Sequence, residues 1–415
     1  MIPTRGVIKP ESDLCLTILS RMTRLFLYLL TLCPLLPLSG QTAAELADAL
    51  STRYAPYANW QSVLDIDSLV DDEIERYSRS AADLKSSRSE DDLPLAGLHL
   101  AIDPGHVGGR WAAFEGRDFV IDEGDFRVRE GELVLEVAQR VRTHLVELGA
   151  RVTLLRDKAE PVNPKSPDDY IELASQEVPK PEVLSFDSLL AYAVAVNNRA
   201  VRSSVVVGEI AERARLVNET IQPDALLSLH INAAPWPKNE VGQSGLQLVT
   251  SNHVHVLIFG CMSDQELDDP SQQGHLIAKL TNGSGAEEVS LGTAIGTALA
   301  QATQLPASLY DGQNAIRLQP DVPTLWARNL MLLRMVECPT VLLEPYVANS
   351  EAVYPRLQQA LSDRAAGNEL AEDDILIEYT NAVVAGIRAM YGNTESIHEA
   401  TFSCSFAADG EAAQF

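Results

Sequence analysis

The stretch His99–Gly109 reads HLAIDPGHVGG: an apolar run, then Asp103-Pro104-Gly105, then a histidine on a glycine-rich turn. Leu98–Ile102 has the composition of a buried strand, and Asp-Pro-Gly is strong turn chemistry, so the strand stops just before His106. Downstream, Leu133–Leu148 (LVLEVAQRVRTHLVEL) carries apolar residues at helical spacing, and Gly149 sits where a helix C-cap would. Ala150–Leu155 (ARVTLL) follows as a second strand. Strand, helix and strand with short joints spell a βαβ unit and a parallel sheet.

Further strands are expected at Ala225–Ile231, Gly245–Thr250, His255–Phe259 and Val341–Glu344, with helices at Val205–Val217, Leu291–Gln304 and Asp374–Met390. The expected fold is α/β: a single open, twisted, mostly parallel sheet of about six strands flanked by helices, with a helical N-terminal prelude and long insertions. Polar side chains break the apolar strands in a common manner. His106 follows the first strand. Ser228, His230 and Asn232 share one face of LLSLHIN, and Glu344 ends an apolar run before Pro345. In open α/β sheets the ligand crevice lies beyond the carboxyl ends of the parallel strands, so these groups gather there. Two imidazoles with carboxylates form a metal-like set, and Glu130 and Glu132, just ahead of the first helix, each offer a third ligand. His253 and His255 share a strand face, a spacing that could bind metal, but read better as the polar outer face of an edge strand. His99, His144, His275 and His398 have no partner pattern.

The chain has 415 residues and a formal charge of −26, which disfavours nucleic acid as a partner because phosphates would be repelled. Residues 1–40 read as upstream sequence followed by a secretory leader: Arg21 and Arg24 precede an apolar Leu25–Leu38, which is too short and too proline-broken for a membrane span. Export to the periplasm or cell envelope follows, with no stable membrane span. Residues 41–94 read as a helical and linker region, 95–391 as the main domain with insertions near 157–204 and 234–288, and 392–415 as a flexible tail. The 157–204 insertion, with prolines at 161, 164, 167, 179 and 181, is expected to be irregular, and Ser263–Gln273 an acidic loop. Of five cysteines, Cys15 and Cys33 fall in the leader; Cys261, Cys338 and Cys404 allow at most one disulfide and show no metal spacing.

AIDPGHVGG (101–109), REGELVLEVA (129–138), GARVTLLRD (149–157), RARLVN (213–218), DALLSLHINA (224–233) and LLRMVECPTVLLE (332–344) occur in an order that resembles the zinc-dependent N-acetylmuramoyl-L-alanine amidases, over about residues 97–391. The resemblance implies Zn²⁺ held by His106, Glu130 and His230, with Glu344 as catalytic base. The family's glutamate ligand lies eight residues before a helical alanine, here Ala138, which selects Glu130 over Glu132. Ser228 and Asn232 meet its Ser-x-His-x-Asn pattern. Arg334 matches a family arginine, and reads either as a second donor to the oxyanion or as a salt-bridge residue. The implied substrate bond joins the lactyl group of N-acetylmuramic acid to L-alanine in peptidoglycan; a protein activator or recruiter is a further implied partner. Burial at a strand end is expected to raise the proton affinity of Glu344.

The sequence departs from the family after Glu344, where Glu344-Pro-Tyr-Val-Ala-Asn349 lacks the usual glycine and is one residue short. The altered loop favours one rival reading, an impaired homologue that binds peptidoglycan; a zinc amidohydrolase acting on another amide and a purely structural secreted α/β domain are two more.

Overall fold

The computed structural model describes residues 41–70, 78–238, 245–368 and 370–393; the leader and nearly all of the expected tail lie outside them. The described strands are β1 (His99–Pro104), β2 (Asp118–Phe119), β3 (Val128–Arg129), β4 (Arg151–Leu154), β5 (Ala225–Leu229), β6 (Val254–Ile258), β7 (Ile316–Arg317), β8 (Leu325–Ala327) and β9 (Thr340–Pro345). Seven of them form one open sheet in the order β4-β1-β5-β9-β6-β8-β7, while β2 and β3 pair as a separate antiparallel ribbon. β4, β1, β5 and β9 run parallel. β6 is antiparallel to β9 and parallel to β8, so the chain direction reverses in the middle of the sheet.

The helix Glu130–Glu147 crosses from β1 to β4. Its Leu133, Val134, Val137, Ala138, Val141 and Leu145 are buried in one core with Leu100 and Ile102 of β1 and Leu227 of β5. Each of the leucine, valine and isoleucine side chains contributes about 1.5–3 kcal/mol on burial. Gly149 takes φ +96°, ending the helix as its sequence position demands. Helices Ser284–Thr303 and Ile375–Tyr391 cover the same face, the second started by Asp374, whose carboxylate accepts from Leu376 and Ile377 N–H.

The opposite face beside β6 is closed by the N-terminal segment. Leu46, Leu50, Tyr54 and Trp60 pack with Leu257, Phe259 and Leu342. Arg53 donates through Nε to Phe259 O at 2.9 Å and pairs with the fully buried Glu288, which also binds Lys279.

Several expectations are corrected. Within 157–204 the chain forms helices Ile171–Glu177 and Phe186–Arg202, packed through Ala174, Val196 and Ala200. The prolines there lie outside these helices and punctuate them. Residues 245–250 form no strand; Val249 makes only an isolated bridge with Ser350. The stretch expected as an acidic loop instead forms Asp264–Leu267 and the start of Pro270–Thr281, capped by the Asp269 carboxylate. Cys261 and Cys338 are buried free thiols. Among the described residues no helix is long and apolar enough to cross a membrane.

Candidate metal centre

The site forms at the carboxyl ends of β1, β5 and β9. Their register aligns Pro104 with Leu229 and Leu229 with Leu343, and His230 N–H donates to Leu343 O at 2.9 Å. The turns leaving β1 and β5 therefore emerge side by side next to Glu344. His106 lies in the left-handed region at φ +55°. The role of the preceding glycine differs from a simple bend. A Cβ on Gly105 would lie 2.3 Å from His230 Cε1, so the missing side chain makes room for the second imidazole. A Cβ on Gly131 would lie 2.5 Å from Gly108 N, which is how the helix start comes close enough to place Glu130 between the rings.

Glu130 Oε1 lies 3.0 Å from His230 Nδ1 and accepts from Ile231 N–H, while Oε2 lies 3.4 Å from His106 Nε2. The two imidazoles meet edge to face at 5.0 Å. Ligand atoms of His106, Glu130 and His230 all fall within 4.8 Å of one another, a group that could hold a metal ion. The Glu130 side chain is 6% exposed, and Oε2 is buried without a hydrogen bond, facing His106 and the Arg117 guanidinium at 2.9 Å. Such an oxygen suits a cation. Burial alone would push the Glu130 pKa up, but His106, His230 and Arg117 outweigh it and hold it at about 2. For His230, burial opposes the charged ring, yet the hydrogen bond and charge of Glu130 leave its proton affinity raised. The cluster thus holds negative charge ready for a cation, with protons as its competitors.

Glu115, not singled out in the sequence, fixes His106 from behind. Its carboxylate lies 3.3 Å from His106 Nδ1 and accepts from the Val107 and Gly108 amides. A carboxylate on one ring nitrogen leaves the other as the ligand atom. Below, Asp103 accepts from Ser228 Oγ and Arg213 Nη1, each at 2.7 Å, so Ser228 supports the β1 turn rather than entering the cluster. Glu132 points away, accepting from Gly109 N–H and Arg129.

Glu344 sits on β9 with its side chain 20% exposed. Its proton affinity corrects the expectation. Burial raises it, but the hydrogen bond and charge of His255, with His230 behind, outweigh burial and hold the carboxyl below its ordinary range. His255 is likewise corrected: it lies on an interior strand, buried, and bonds Glu344 directly. Asn232 donates to His253 Nε2 at 2.9 Å. The altered loop after Glu344 is tightly held: Tyr346 takes φ +66° and donates to Glu378, and the buried Asn349 exchanges two hydrogen bonds with the Ala234 backbone. Arg334 lies elsewhere, donating to Asn329 and facing Glu266 and Asp269. A cleft of about 300 Å³ opens beside Glu130, walled by Arg117, Phe119, Ile231, Ala234 and Trp236.

A sequence profile of N-acetylmuramoyl-L-alanine amidases matches residues 100–375, which spans all four of the gathered residues. The chain belongs to the N-acetylmuramoyl-L-alanine amidase family. This amidase-family chain is 25% identical over 152 residues to the germination-specific N-acetylmuramoyl-L-alanine amidase of Bacillus subtilis strain 168, a match covering 37% of this chain and 46% of that relative. Among solved structures, the N-acetylmuramyl-L-alanine amidase of Mycobacterium smegmatis aligns at 18% identity and TM-score 0.40, covering 72% of this chain and 98% of its own. The apo enzyme of Mycobacterium abscessus aligns at 16% and 0.39, covering 71% and 99%.

Proposed function

We propose that this family member is a Zn²⁺ amidase of the cell envelope, hydrolysing the amide between the lactyl group of N-acetylmuramic acid and L-alanine in peptidoglycan. The observation that carries the reading is the meeting of His106, Glu130 and His230 ligand atoms within 4.8 Å, beside a carboxylate on β9. In this assignment those three residues hold the metal, Glu115 orients His106, and Glu344 is the base. Zinc held by three protein ligands supplies an acidic water and polarises a carbonyl.

An amide resists hydrolysis because water is a weak nucleophile and an amine a poor leaving group. Glu344 addresses both. Kept ionised by its neighbours, it takes a proton from the attacking water, then returns it to the departing alanine nitrogen. The cleft beside Glu130 pairs the charged Arg117, Asp118 and Glu130 with an apolar wall of Phe119, Ile231, Ala234 and Trp236, and that wall suits the methyl groups that flank the scissile bond.

The test is digestion of purified peptidoglycan by the zinc-loaded full chain, scored by chemical labelling of newly exposed N-terminal amines. Free L-alanine amine is the expected product, absent with Glu344→Gln at unchanged zinc content. New amines on other residues only, or new reducing sugar ends, would assign a different bond.

A further inference from the structure

The hydrogen-bonded partner of Glu344 is a histidine with no other polar engagement. His255 stands directly opposite Glu344 in the antiparallel β6–β9 register, so the pairing is set by the backbone ladder as well as by the rotamers. Its side chain is 4% exposed. Nε2 meets Glu344 Oε2, while Nδ1 is buried with no hydrogen-bond partner. On its two sides the ring is flanked by His253 and Tyr310, each with its centroid 5.7 Å away. Buried histidines that serve only packing satisfy both nitrogens, and an unsatisfied one demands a reason. Facing a carboxylate, Nε2 must carry the hydrogen, because the other tautomer would set lone pair against lone pair.

We propose that His255 is the positioning residue for Glu344: its Nε2–H holds one carboxylate oxygen and leaves the other to take and return the proton during amide hydrolysis. This rests on the amidase reading and adds to it a Glu–His pair in place of a lone base. A carboxylate at a cleft edge can rotate, and general-base efficiency depends on its holding one geometry within hydrogen-bond reach of water. Oε2 is committed to His255, while Oε1 has no hydrogen bond among the described residues. The same bond favours the ionised carboxylate, so a proton taken from water is readily passed on. The charged and titratable groups around the pair are His253 just before β6, Tyr310 with Arg328 stacked on it, His230 beyond β5, Tyr379 and Glu130.

The experiment compares zinc-loaded full-length wild type with His255→Leu, His255→Asn and His255→Gln on purified peptidoglycan, recording kcat, KM, zinc content and the pH–rate profile. Charge-assisted hydrogen bonds of this type correspond to a loss of roughly 10- to 100-fold. His255→Leu should lose that factor in kcat with KM and zinc content unchanged, and its acid limb should move to higher pH because Glu344 then holds its proton more tightly. His255→Asn keeps polarity but falls short of Glu344, and should lose as much; it keeps the test decisive if the leucine variant fails to fold. His255→Gln reaches Glu344 with an N–H and should recover most of the rate. Wild-type kcat and pH profile in the leucine or asparagine variant, or an equal loss in the glutamine variant, would overturn the pairing while leaving the amidase reading intact. No amide hydrolysis by zinc-loaded wild type would overturn both.

Discussion

Replacing Gly105 by alanine should strip the protein of its metal and leave the fold standing. The added methyl would lie 2.3 Å from His230 Cε1, 2.4 Å from Nε2 and 2.6 Å from Nδ1, whereas ordinary contact begins at 3.4 Å. The imidazole must therefore recede by about 1.1 Å, the gap between 2.3 and 3.4 Å. Metal sites tolerate only about ±0.2 Å in ligand distance, so His230 would cease to be a ligand. Loss of an outer hydrogen-bond partner alone costs roughly 10–100-fold in metal affinity; loss of a ligand should exceed the upper end of that range. The overpacking costs about 1–3 kcal/mol of stability, against about 5–15 kcal/mol typical of a domain, so the protein should remain folded. Zinc affinity by chelator competition, with circular dichroism alongside, reads both quantities. Gly274→Ala is the matched control, since a Cβ there meets nothing within 4 Å and an alanine favours the helix Pro270–Thr281. Wild-type zinc affinity in Gly105→Ala would refute the idea that this glycine exists to seat His230.

Asp103→Asn should destabilise the protein by about 3–5 kcal/mol, because it uncouples a buried ion pair with Arg213, read by urea denaturation. Burial alone would raise the Asp103 pKa, but Arg213 and Ser228 outweigh it and hold it below the ordinary aspartate value. Its stabilisation is thus fully present above that value and fades as pH falls through the lower folded one, so the asparagine variant should lose less stability than wild type across that acid range. Asn349→Ala should cost about 1–3 kcal/mol for each Ala234 backbone group left unpaired, and raise KM by loosening the loops beside the cleft. Chelation should abolish hydrolysis and lower the melting temperature, with both restored by zinc; saturation at a hundred times Kd adds about 2.7 kcal/mol.

The β1 turn was legible because Asp-Pro-Gly is turn chemistry; the strand runs two residues past the expected Ile102, through Asp103 and Pro104, and turns at Gly105 just before His106. His230 and Glu344 were legible for the same local reason, a polar residue closing an apolar strand. Residue pattern alone left Glu130 and Glu132 open and the family resemblance selected Glu130; in the structure Glu130 turns in toward the imidazoles and Glu132 turns out to Gly109. His255 was not legible. It stands near the start of its strand, which in an all-parallel sheet lies at the far edge from the site, and only the reversal of β6 brings it beside Glu344. Glu115 was hidden for another reason: its bond to His106 depends on how the turn after Gly109 folds back, which no periodicity encodes. The helices within 157–204 were obscured by flanking prolines, although FDSLLAYAVAVNNRAVR carries a helical period. Strands β7 and β8 are too short to show alternation.

One cation shared by three side chains from three parts of the chain is what makes the proposed site a hydrolase. An X-ray anomalous difference map at the zinc edge, taken from crystals of the zinc-loaded protein, tests it directly. A single peak within bonding distance of His106, Glu130 and His230, lost in His106→Ala, is the predicted result. A map with no peak there, or with zinc bound at other residues while the protein still cuts its substrate, would contradict it.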